Sequence, residues 1–242
     1  MPRKAQTASL ADHDAAPGGA AAVDRALSLL AAFREGDTAL GLAELAQRTG
    51  LYKSTVLRLL ASLEHASLVQ RLEDGRYAIG AEVARLHGIY AASFSLDRVV
   101  LPVLKALVAA TGESAAYHVR QGDSRLCLYR VDSPHPIRDH IKAGDVLPAG
   151  RGTGGRVLTA FDPQLARAAG TRDRKLLAQI RERGYYAATG DRLAEVAGIS
   201  APVFHADGTP AAALTLTMPS HRYDERYVKP VLEAARKLSG RV

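Results

Sequence analysis

Lys53, Ser54, Thr55 and Arg58 stand close together just after the turn Thr49-Gly50-Leu51. Val56, Leu59, Leu60 and Leu63 recur at i, i+3, i+4 and i+7 and form the buried stripe of one helix, which turns the four polar side chains outward. On a helix that enters the major groove N-terminal end first, Ser54 and Thr55 reach phosphates or base edges, and Arg58, one turn on, reaches deeper. Lys53 suits the phosphate backbone, and the amides near Tyr52 and Lys53 add the anion affinity of a helix N-terminus. A solvated helix face is the competing reading, because a short polar run is a weak motif by itself.

Two further groups have chemistry to offer. The stretch "LPAGRGTGGRVL" at 147–158 places glycines at 150, 152, 154 and 155 around Thr153. Backbone of this kind approaches a ligand closely, and amides entering the helix that follows bind a carboxylate. No Gly-Lys-Ser/Thr closes the loop, so it is not a nucleotide-phosphate loop, and a plain flexible connection is the alternative. The other group is Cys127 with His118, His135 and His140 nearby in sequence. A nucleophilic Cys-His pair requires mutual reach and a lowered thiol pKa, whereas Cys127 falls in an apolar strand pattern that favours a buried structural thiol. The histidines lack metal-ligand spacing, and Ser54 and Ser200 lack a nucleophile-elbow setting. No enzyme is expected, and neither a cofactor nor a metal.

These residues need elements to hold them. Val23, Ala26, Leu27 and Leu30 predict a first helix over 22–33, and Leu42, Leu45 and Ala46 a second over 42–48 with Gly41 at its cap. The third is the helix of Lys53 and Arg58, running to His65. After it, "DG" at 74–75 between Val69, Leu72 and Tyr77, Ile79 predicts a hairpin that carries Arg71 and Arg76 as flanking DNA contacts. Three helices with a tight turn before the last, then a hairpin, describe a winged helix-turn-helix.

Beyond it, 80–93 predicts a connecting helix with Val83, Leu86 and Tyr90 on one stripe, and Ser95 caps a long helix to 110 that Pro102 kinks or splits. The period then changes to two. Strands are expected at 114–119, 125–131 and 137–141, and at 201–205 and 211–217 around "ADG"; helices at 154–161, 172–183 and 224–239. Hairpin-linked strands mixed with helices indicate an α+β domain with an antiparallel sheet. The expected organisation is a flexible arm (1–21), the winged helix-turn-helix (22–80), a linker helix (81–93) and the α+β domain (94–242).

Composition bounds the function. At 47% hydrophobic and 24% charged, a chain of 242 residues builds a sizeable core. No apolar run approaches the roughly 20 residues of a membrane span, the N-terminal stretch has no signal-peptide core, and one cysteine makes no internal disulfide, so the expected place is the cytoplasm. The net charge of +7 says little about DNA, because residues 1–80 hold nine Lys/Arg against nine Asp/Glu and the whole excess lies further on. Arg3 and Lys4 of the arm are the remaining candidates for a backbone contact.

The segment "LAELAQRTGLYKSTVLRLLASLEHASLVQRLEDGRYAIG", with "GISAPVFHADGTPAAALTLTMPS" downstream, resembles the IclR family of bacterial transcriptional regulators over nearly the whole chain from Ala22. The resemblance implies an N-terminal DNA-binding domain joined by a helix to a GAF-like effector domain, double-stranded operator DNA and an organic or aromatic acid as partners, and a homodimer or homotetramer. It makes residues 152–155 the effector loop, and it makes Thr215 and Thr217, which alternation puts on one strand face, the hydroxyls that meet an acid. Tyr52 departs from the Pro or Ser that often opens the recognition helix. Ala188 and Gly198 stand where relatives carry an acid and a cysteine. The competing functions are a sensor module that does not bind DNA and a Cys/His-dependent enzyme.

Overall fold

The structure is a computed structural model that describes residues 9–13, 15–34, 36–93 and 96–242; Arg3, Lys4 and Ser95 lie outside them. The chain divides into two compact units, Met1–Ser93 and Phe94–Val242, each with its own core.

In the first unit, α1 (Leu10–His13) precedes α2 (Ala21–Ala31), α3 (Leu42–Thr49) and α4 (Lys53–His65), then β1 (Val69–Arg71), β2 (Tyr77–Ile79) and α5 (Ala81–Ser93). The region expected as an arm therefore holds a helical turn; Asp12 ties it to α2 through a 2.7 Å ion pair with Arg25, and Ala11 is buried. Leu29, Leu45, Val56, Leu60 and Leu63 centre the core. On α2 the inward stripe is Ala26, Leu29 and Leu30, whereas Val23 and Leu27, expected inside, are more than half exposed. The turn between α3 and α4 closes on Gly50, whose φ of 70° is the left-handed value a side chain resists. Arg48 locks α3 from outside, bonding Asp37, Glu44 and the carbonyl of Ala32. Val69 and Tyr77 pin the antiparallel hairpin to the core, and Tyr77 exchanges backbone bonds with Leu40.

The second unit starts with α6 (Leu96–Thr111), which Pro102 does not interrupt. Pro102 is exposed near the helix start. Then come β3 (Ser114–Gln121), β4 (Ser124–Val131), β5 (Val146–Pro148), α7 (Thr153–Phe161), α8 (Pro163–Ala168), α9 (Thr171–Arg183), β6 (Tyr186–Thr189), β7 (Val196–Phe204), β8 (Pro210–Pro219) and α10 (Val228–Leu238). The strands pair antiparallel in the order β5-β4-β3-β8-β7-β6. Alternation sends Leu214, Leu216, Ile199 and Tyr117 to a core shared with α6 and α10. It sends Ala213, Thr215 and Thr217 to the opposite face, which α7 covers with α9 behind it.

Three expectations change. Residues 137–141 form no strand: Asp139 is drawn inward to Arg130 while Ile137 is left exposed. The last helix begins at Val228, after two 3-10 turns, the second capped by the Asp224 carboxylate on the Arg226 amide at 2.9 Å. Finally, β5, β6 and α8 are additional elements. The start of α8 is marked by Asp162, which accepts from the amides of Gln164 and Leu165 ahead of Pro163 at the first helical position.

Candidate functional site: an exposed helix and a buried polar cavity

Helix α4 presents the first group of residues. Val56, Leu60 and Leu63 are buried and Leu59 is half-buried, as their spacing requires, while Lys53, Ser54 and Arg58 are exposed and Thr55 is half-exposed beside them. None of these four side chains has an ion pair or side-chain hydrogen bond among the described residues. Tyr52 is the helix cap in extended conformation; its side chain caps nothing and is 63% exposed. The first amides of α4 are thus left uncapped, and their partial positive charge faces outward beside Lys53. On the wing, Arg71 lies 5.9 Å from the ring centre of Tyr77 and Arg76 pairs with Asp74 at 2.7 Å; both arginines are exposed.

The second group meets at a cavity between the sheet and α7. It is lined by Gly152, Thr153 and Gly154 from the glycine loop, by Thr215 and Thr217 from β8, and by Ala188 and Gly198, a cross-strand pair of β6 and β7. Thr153, Ser200 and Thr215 form a buried hydroxyl chain, with Ser200 Oγ 2.7 Å from Thr153 Oγ1 and 2.9 Å from Thr215 Oγ1. Thr217 Oγ1 donates to Asp139 Oδ1 at 3.2 Å. Two glycines are needed for this closeness: a Cβ at Gly154 would come within 2.7 Å of Thr215 Oγ1, and one at Gly198 within 2.5 Å of Thr153 Oγ1. Gly155 differs from the expectation, because it does not line the cavity. It packs against the Ala149 carbonyl and the Arg125 guanidinium, where any side chain overlaps them.

Sequence reading missed the charged members. His118 from β3, Arg125 from β4, and Asp191 and Arg192 from the turn after β6 line the same cavity, with Asp139 and Arg130 behind them. Both ring nitrogens of His118 and Nε of Arg125 are buried without a hydrogen-bond partner. Burial, reinforced by Arg125, Arg130 and Arg192, pushes the His118 pKa down to about 3, so its ring is neutral. Burial and the adjacent Arg192 push Arg125 down to about 10, which leaves it charged at neutral pH. The only available signal was strand alternation: His118 lies two positions from Ala116, the register partner of Thr215.

Cys127 is fully buried, and burial pushes its thiol up to about 12. A protonated thiol beside a neutral imidazole is the reverse of what a nucleophilic pair requires. No helix among the described residues is long and apolar enough to cross a membrane.

A winged helix-turn-helix with an uncapped, donor-rich third helix, followed by an α+β domain with a buried polar cavity, defines a DNA-binding transcriptional regulator. Comparison with known proteins gives the family. The IclR helix-turn-helix domain matches residues 22–73 and the bacterial transcriptional regulator IclR C-terminal domain matches residues 171–242, together more than half of the chain. The chain belongs to the IclR family. It is 29% identical to the glycerol operon regulatory protein of Streptomyces coelicolor over 230 residues, 88% of this chain and 91% of that one. Its structure is similar to that of an IclR-type regulator from Silicibacter, with a TM-score of 0.78 at 26% identity over 90% of this chain and 93% of that one. An IclR homologue from Microbacterium hydrocarbonoxydans, solved with 4-hydroxybenzoate, shares the fold with a TM-score of 0.77 at 23% identity over 90% and 97% of the two chains.

Proposed function

We propose that this regulator reads its operator through α4 and answers to an organic acid held in the cavity beneath α7. Ser54, Thr55 and Arg58 face the base edges, while Tyr52, Lys53 and the wing residues Arg71 and Arg76 hold the phosphates. The acid lies against Gly152, Thr153 and Gly154 at the start of α7 and against Thr215 and Thr217, with Gly155 keeping that helix seated. The observation that carries this reading is a buried, polar cavity in which both ring nitrogens of His118, Nε of Arg125 and Nη2 of Arg192 have no hydrogen-bond partner: an unsatisfied buried polar group is costly unless a ligand or water takes it. The 4-hydroxybenzoate bound to the Microbacterium relative supports an acid as the class of effector. The regulator works in the cytoplasm as a homodimer or a pair of dimers, joined through the N-terminal unit, where Val23 and Leu27 of α2 and Val83, Leu86 and Ile89 of α5 are exposed.

The test follows release of DNA from upstream of the gene as carboxylic acids are titrated in. Wild-type protein releases or tightens its DNA with at least one acid. The double variant Thr215→Val, Thr217→Val binds the same DNA and does not respond. An undiminished response in that variant removes the cavity from the account.

A further inference from the structure

More than half of the net positive charge of the chain lies in one short stretch. Residues 163–183, which make α8 and α9, hold six Lys/Arg against two Asp/Glu, a surplus of four out of the net +7. Neither the operator-binding helix nor the cavity beneath α7 uses these residues. Three of the six cations, Arg167 from α8 and Arg174 and Arg181 from α9, line a groove of about 410 Å³ together with the end of α7. That volume is in the range of small-molecule sites.

The groove has two kinds of wall. Phe161, Pro163 and Ala166 give it an apolar floor, on which Phe161 is braced against Phe204 with 5.5 Å between ring centres. Its polar part is the three arginines, and no carboxylate lines it among the described residues. None of the three makes an ion pair among those residues. The acids nearby in sequence are turned elsewhere: Asp162 pairs with Arg120 and caps α8, and Asp173 pairs with Arg156 at 3.0 Å. Glu182 follows Arg181 directly, so it leaves the helix about 100° further round. Two of the guanidiniums are held in place, Arg181 by donating Nη1–H to the carbonyl of Ala160 and Arg174 by donating Nε–H to that of Ala169, both at 2.9 Å. Each of these bonds uses one of five donors and leaves the others for a ligand. Arg174 and Arg181 stand seven residues apart on one face of α9, about 10 Å along its axis.

We propose that this groove is a second acid site and takes an aryl carboxylate, with the carboxylate forked on an arginine of the rim and the ring on Phe161, Pro163 and Ala166. Exposed guanidiniums alone hold an anion weakly because water screens them, and so small an apolar floor alone holds a neutral ring weakly. An occupant that carries both parts meets both walls. A flat ring also lies against the face or edge of Phe161, and the guanidiniums that do not take the carboxylate stack on it. The site is separate from the cavity beneath α7 and does not rest on that cavity's reading. It lies at the other end of the same helix, since Thr153 and Gly154 open α7 and Ala160 and Phe161 close it.

The test is calorimetric titration of the full-length protein at pH 7 and fixed ionic strength with 2-naphthoate, with 2-naphthol, which has the ring without the charge, and with acetate and sulfate, which have the charge without the ring. 2-Naphthoate is expected to bind at least tenfold more tightly than any of the other three. The double variant Arg167→Gln, Arg174→Gln is expected to weaken it at least tenfold, and Thr215→Val, Thr217→Val to bind it as wild type does. Near-native melting temperatures of the variants separate lost binding from lost folding. 2-Naphthol binding as tightly reduces the groove to an apolar patch, and sulfate binding as tightly reduces it to an unspecific basic face; either result overturns the proposal, as does no binding of 2-naphthoate. Binding that survives the arginine variant overturns it too. Loss of binding in the threonine variant moves the acid to the cavity beneath α7, and displacement of 2-naphthoate by scrambled duplex DNA assigns the basic face to nucleic acid; each of these also removes the groove as an acid site.

Discussion

His118 is neutral in the folded protein because burial and three arginines oppose its protonation. An unfolded chain protonates the ring near its ordinary value of 6.5, whereas the native state does so only near 3. Between those values the unfolded chain binds more protons, so stability falls as pH drops, by up to about 1.4 kcal/mol per pH unit. Urea denaturation from pH 7 to pH 4 is expected to show a steeper loss for wild type than for His118→Gln; parallel curves would mean that the ring titrates normally. Thr215 and Thr217 were candidates through the resemblance to the IclR family, and their spacing of two adds only that they share one face of a strand. His118 and Arg125 were not, because each reaches the cavity only through the register of β3 on β8 and of β4 on β3, which is set by pairing remote in sequence. Histidine and arginine in strands also carry no motif of their own.

Helix α7 holds the glycine loop over the hydroxyls of β7 and β8, and its seat depends on the bare backbone at Gly155. Gly155→Ala is expected to push α7 away from the Ala149 carbonyl and displace Arg125, with about 1–3 kcal/mol of stability lost in urea denaturation. A stability within experimental error of wild type would show that the loop yields freely. The helices were the most legible elements, since α3, α4, α6 and α9 follow a 3.6-residue apolar period and end at Gly50, Gly112 or Gly184 or at a capping turn. The pattern on α2 misled, because Val23 and Leu27 share its period while Leu29 fills the core. Short edge strands were the least legible: β5 has three residues, one of them proline, and its pairing with β4 follows from the chain path rather than from alternation. The apparent strand at 137–141 failed for the opposite reason, since its isoleucines are less decisive than the burial of Asp139 against Arg130.

At the scale of the molecule, the first unit binds DNA without a general excess of charge, so placement of a few cations has to do what net charge does not. The exposed apolar residues of α2 and α5 belong to that same unit, and in the dimer proposed above pairing through them would bring two copies of α4 to successive half-sites. Leu27→Glu is expected to shift the protein towards monomer in sedimentation and to weaken operator binding without unfolding the unit, because Leu27 is 54% exposed in the single chain; an unchanged oligomer would move the interface elsewhere. The most direct test of the whole account is fluorescence anisotropy with DNA from upstream of the gene, across a salt series and against scrambled DNA, for wild type and Arg58→Ala. The account predicts specific binding that weakens steeply with salt, and a loss of about 1–3 kcal/mol in sequence discrimination for Arg58→Ala while affinity for scrambled DNA changes little. Discrimination unchanged by Arg58→Ala would contradict direct readout by α4, and affinity no tighter than for scrambled DNA across the upstream and other genomic fragments would contradict the operator-binding role itself.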